Sequence, residues 1–121
     1  MVGAPGQPAF NDSCGTASWI NWNFGGTSFN EVGFYKDSVG IVHLKGLAAQ
    51  WCGGGNGAGA TIFTLPVGYR PLETELQVTL SNNAVNRINV NANGTVVPEL
   101  AVGSASGQWI SLDGVSFRAE N

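Results

Sequence analysis

The sequence predicts an all-β chain, a jelly-roll-like antiparallel β-sandwich, and three observations predict it. No window sustains helical periodicity. Short alternating runs bounded by Gly, Asn, Asp and Pro recur about every ten residues instead, the pattern of sandwiches and related folds. The composition agrees. Of 121 residues, 18 are glycine and 43% are hydrophobic, with only 11% charged, which leaves an ample core and many turns.

The elements follow in order. ASWINW, residues 17–22, is a short strand. In NEVGFYK, residues 30–36, Val32 and Phe34 point one way and Tyr35 the other. SVGIVHLKGLA, residues 38–48, is apolar on both sides. Val39, Ile41 and Leu47 lie on one face with His43, and Val42 and Leu44 on the other. A strand apolar on both faces is expected to be covered on both, and neighbouring subunits are one way to cover it. ATIFTLP, residues 60–66, closes at Pro66.

LETELQVTL, residues 72–80, alternates cleanly. Leu72, Leu76, Val78 and Leu80 are expected to face the core with Thr74, and Glu73, Glu75, Gln77 and Thr79 to face water. In NRINVNANGTVV, residues 86–97, Asn93-Gly94 reads as a two-residue hairpin turn. It would set Val90 opposite Val97 and leave a bulge or strand end near Pro98. In WISLDGVSF, residues 109–117, Asp113-Gly114 reads as a second such turn. It would pair Leu112 with Val115, Ile110 with Phe117, and Trp109 with Arg118. The four apolar members share one face.

GAPGQP, residues 3–8, holds two turns of Gly-X-Y with proline at Y, the collagen repeat. We therefore expect residues 1–9 to be the end of a collagen-like stalk or linker, and residues 10–121 to be a head domain that comes in threes. The residues expected at the trimer interface are Val39, Ile41, Val42, His43 and Leu44.

Composition also narrows function. Net charge is −3, and the five basic residues form no cluster, so nucleic acid is not an expected partner. No apolar run approaches the ~20 residues of a membrane span, and residues 1–10 lack the pattern of a signal peptide. Cys14 and Cys52 fit a disulfide or two buried thiols equally well.

Catalysis is not expected. CGGGNGAGA, residues 52–60, lacks the Lys-Ser/Thr pair and following helix of a phosphate loop. It reads as a mobile connection. His43 lacks a partner readable from the sequence beyond nearby Asp37. Glu73 and Glu75 are adjacent on one strand rather than across a cleft. No spaced oxygen series suggests a metal, and no cofactor is expected. The aromatic residues are more suggestive. Trp19, Trp22 and Trp51 stand among small and polar residues, as sugar-stacking side chains do, and are the candidate ligand-binding residues.

Three segments, VGFYKDSVGIVHLKGL, IFTLPVGYRP and GQWISLDGVSFRAE, taken in this order, resemble the C-terminal head domains of phage tail fibres and related minor tail proteins. The resemblance spans roughly residues 32–120. It implies a homotrimer at the virion tail or an extracellular surface, with a structural or receptor-binding role and no catalytic residues. The expected function is to register the stalk and contact host cell-surface glycan. The alternatives are a trimerisation cap of a bacterial collagen-like surface protein without ligand and, below it, a carbohydrate-active enzyme module.

Overall fold

The computed structural model describes residues 7–8, 20–21, 32–49, 59, 61–81, 84–100 and 109–121. Among these residues there is no helix, and every paired strand is antiparallel. The strands are β1 (Gln7–Pro8), β2 (Ile20–Asn21), β3 (Gly33–Lys36), β4 (Ile41–Lys45), β5 (Leu47–Ala49), β6 (Phe63–Thr64), β7 (Glu75–Leu80), β8 (Val85–Val90), β9 (Thr95–Pro98), β10 (Trp109–Ser111) and β11 (Ser116–Arg118). They form three sheets, ordered β1-β3-β4-β11, β10-β5-β2 and β6-β9-β8-β7.

One core unites the three sheets. It contains Val32, Phe34, Val42, Leu44 and Phe117 from the first sheet and its borders, and Ala48 and Ile110 from the second. Phe63, Ile88, Val90 and Val96 come from the third. Phe34 stacks on Phe63 with ring centroids 5.9 Å apart, which joins the first sheet to the third. The expected inward faces of residues 30–36 and 109–117 are those observed: Val32, Phe34, Ile110, Leu112, Val115 and Phe117 are all buried, and Tyr35 is exposed.

The Asp113-Gly114 turn has a different role from the expected hairpin. Its two flanks do not pair with each other. β10 pairs with β5 and β11 with β4, so residues 109–118 run as one line beside residues 41–49. Residues 112–115 bulge out opposite residues 44–46. Val115 N–H donates to the Leu112 carbonyl across the bulge, and the Asp113 carboxylate accepts the Gly46 amide at 2.8 Å. Gly46 and Gly114 both have positive φ, which a glycine adopts without strain. The expected Trp109–Arg118 pair therefore does not form: Trp109 lies opposite Ala49, and Arg118 lies opposite Ile41 and donates to the Val39 carbonyl. A long non-local ladder has replaced a short local one.

The turn at Gly94 is real but one residue longer than expected. Gly94 N–H donates to Asn91 and Asn91 N–H to Thr95, with Gly94 at φ +93. That is the three-residue hairpin loop in which glycine forms a bulge after the turn. The register shifts by one, so Val90 faces Val96 and Ile88 faces Pro98. The inward positions nearest the loop, Ile88, Val90, Val96 and Pro98, are now apolar, with buried Asn86 the polar exception further along β8, and β9 ends at Pro98, where a strand end was expected.

The apolar face expected to meet the core is outward in β7 and just before it. Leu72, Thr74, Leu76, Val78 and Leu80 are exposed, Glu73 and Glu75 face water as expected, and Gln77 and Thr79 turn toward the protein. Gln77 Nε2 donates to the Ser116 carbonyl at 2.9 Å, and Thr79 Oγ1 to the Ser111 carbonyl at 2.6 Å. The inward face is polar because it satisfies backbone carbonyls of β10 and β11, whose β5 and β4 ladders lie on their other edge.

The end of the chain is tied down. After Pro66 a turn places Gly68 at φ +94 and returns Tyr69 N–H to the Pro66 carbonyl. Gly68 N–H and Arg70 N–H donate to the Asn121 carbonyl, and Glu120 N–H donates to Arg70. The segments LPVGYRP and SFRAEN, far apart in sequence, thus form one latch.

Candidate functional sites on two sheet faces

The expected ligand-binding residues Trp19, Trp22 and Trp51 lie outside the described residues, as do Cys14, Cys52 and most of the 52–60 loop. The expected interface residues divide. Val42 and Leu44 are buried in the chain's own core and are not available to a partner. The two-sided apolar pattern arises because one side of β4 supplies that core. On the other side Ile41 and His43 are half-buried, and Val39 stands in the β3–β4 turn, 65% exposed.

The first site is the outer face of the β6-β9-β8-β7 sheet, which sequence reasoning missed. The register places Leu76, Val78 and Leu80 opposite Asn89, Arg87 and Val85. Leu76 is 61% exposed, Val78 79%, Leu80 54% and Val85 63%. Together they form one exposed apolar row on the sheet face, comparable to the largest patch of an ordinary monomer, about 300–600 Å², which is often functional. A polar border lies beside them. Arg87 Nη2 approaches Glu99 Oε2 at 3.6 Å, and Asn89 Nδ2 donates to Glu99 Oε1 at 2.8 Å. The remaining amide oxygen, Asn89 Oδ1, is buried with no hydrogen-bond partner among the described residues.

The second site is the outer face of the β1-β3-β4-β11 sheet. The register puts Tyr35, His43 and Ser116 in one row. The β3–β4 loop repeats the Gly94 geometry: Gly40 N–H donates to Asp37, Asp37 N–H to Ile41, and Gly40 has φ +87. This places Asp37 at the loop's first position, where its Oδ1 accepts the amides of Val39 and Ile41. Its Oδ2 meets His43 Nε2 at 2.9 Å. His43 in turn stacks on Tyr35, centroids 4.8 Å apart and planes 16° from parallel. Gly40 was the signal in the sequence that could have fixed this register. Lys36, on the opposite face, lies over the Tyr69 ring and donates to the Gly68 carbonyl.

The His43 hydrogen bond, followed by the Ile41 amide, holds the Asp37 carboxyl below its ordinary 3.8. A folded-state value below the unfolded one stabilises the fold above the unfolded value, and this is lost as pH falls through the folded value. Asp37→Asn keeps an oxygen for the turn amides but loses the charge. We expect it to be less stable than the parent at neutral pH, with the gap closing as pH falls through 3.8 and below. Denaturant unfolding across that range checks this, and a gap that stays constant with pH contradicts it.

Among the described residues, no group of three His, Cys, Asp or Glu could hold a metal ion, and no helix is long and apolar enough to cross a membrane. No family model, no curated protein and no solved structure matches the chain.

Proposed function

We propose that the chain is the jelly-roll-like, homotrimeric head of a phage tail fibre-like protein. It holds three stalk chains in register and contacts host cell-surface glycan at the virion tail or another extracellular surface. The observation that carries this reading is the outer face of β7 and β8. Leu76, Val78, Leu80 and Val85 are held outward because the inward positions of β7 are committed to the carbonyls of Ser111 and Ser116. A stable interface buries about 800 Å² per partner. This face supplies roughly the apolar half, and Arg87, Asn89 and Glu99 form its rim. The Gly-X-Y pattern begun at Gly3 and Gly6 favours three copies, although its last two residues, Gln7 and Pro8, pair with β3 as β1, so any stalk ends before them. Three weak ligand sites on one rigid head gain avidity, so none need be strong alone.

The test is Val78→Glu, which places a carboxylate at the most exposed position of the face. The expected result is a chain that keeps its β-sheet circular dichroism but sediments as a monomer where the parent does not. A variant that associates as the parent does would place the interface elsewhere.

A further inference from the structure

We infer that Tyr35, His43 and Ser116 form a pre-set binding platform for the ring of a neutral sugar. The inference deepens the glycan contact proposed above and rests on that reading for the ligand class, but its geometry is independent of how many copies assemble. The row is rigid by construction. The turn amides of Val39 and Ile41 fix Asp37, Asp37 fixes the His43 ring, and His43 fixes the plane of Tyr35. An exposed tyrosine on a sheet is ordinarily free to rotate; Tyr35, 44% exposed, is held against an imidazole. Rigidity before binding removes the ordering cost that weakens small-ligand sites.

The polar tips of this row are unclaimed. Tyr35 Oη, His43 Nδ1 and Ser116 Oγ have no hydrogen-bond partner among the described residues, although every other part of the cluster is engaged. His43 Nε2 is engaged by Asp37, which leaves Nδ1 as the ring nitrogen that can meet a ligand hydroxyl, as acceptor or as donor. The row therefore offers the Tyr35 ring, one face of which His43 covers, together with one imidazole nitrogen and two hydroxyls that donate or accept. A pyranose has the matching surface: a patch of C–H groups on one face, and hydroxyls around its edge that both donate and accept. A phosphate or carboxylate ligand would meet the Asp37 charge beside the row and is disfavoured.

The experiment is NMR titration of the full chain with the methyl glycosides of glucose, galactose, mannose and N-acetylglucosamine, with the Tyr35 and His43 ring signals followed. We expect saturable shifts with at least one glycoside at millimolar affinity. Tyr35→Ala should abolish them. Tyr35→Phe should keep them with affinity several-fold weaker, since it retains the ring and loses one hydroxyl. No saturable shift with any glycoside overturns the inference, as do shifts that survive Tyr35→Ala or shifts produced only by a proline-rich peptide. Solution mass, recorded on the same samples, separates a failure of this site from a failure of assembly.

Discussion

Replacing Gly94 with alanine is expected to destabilise the fold by about 3 kcal/mol, from two separable causes. The first is conformational. Gly94 has φ +93, and a left-handed backbone costs a residue with a Cβ roughly 1–2 kcal/mol. The second is steric. A Cβ there would lie 2.5 Å from the Leu65 carbonyl oxygen and 2.6 Å from Arg70 Nε. That oxygen accepts Arg70 Nε at 2.8 Å, and Leu65 N–H donates to the Gly94 carbonyl, so relief of the clash must disturb the link between Leu65, just after β6, and the hairpin. Overpacking of this kind adds about 1–3 kcal/mol. Gly114 is the control. Its φ is +85 but nothing lies within 4 Å of its Cβ position, so Gly114→Ala bears only the first cause. Denaturant unfolding at one fixed protein concentration should rank Gly94→Ala well below Gly114→Ala. Equal losses would mean that Leu65 and Arg70 do not pack where described.

Phe34→Ala should cost about 3–5 kcal/mol, the usual loss for a fully buried phenylalanine. Its ring is 0% exposed, stacks on Phe63 and meets the edge of Tyr69 at 5.5 Å. A loss of this size approaches the whole stability of a typical small domain. Because Phe34 joins two sheets, the expected outcome is global unfolding at moderate temperature rather than local fraying. Tyr35→Ala, one residue along and facing outward, should stay within about 1 kcal/mol of the parent. If the two variants melt alike, the facing of β3 is wrong.

These residues also show how far the sequence could be read. Period-two alternation located the strands and correctly turned Val32, Phe34, Ile110, Leu112, Val115 and Phe117 inward. Alternation separates two faces without saying which one meets the core. In β7 the usual assumption failed, because Gln77 and Thr79 are needed inside as hydrogen-bond donors and the leucines go outward. The need arises from strands more than thirty residues away, so no local pattern could reveal it. The turns failed in a different way. Asp113-Gly114 and Asn93-Gly94 were found as turns, but local chemistry does not decide whether a turn closes a hairpin or bulges from a longer ladder. Nor did it reveal that Gly94 adds a residue to its loop. The Tyr35–His43–Asp37 cluster became visible only with the correct β3–β4 register, although Gly40 marked that loop in the sequence.

The central claim is that the outward apolar face of β7 and β8 is covered by further copies of this chain. The most direct measurement is molar mass in solution by light scattering or sedimentation over a range of micromolar concentrations. The account predicts three times the 12.6 kDa chain mass, stable on dilution. A clean monomer across that range would contradict it.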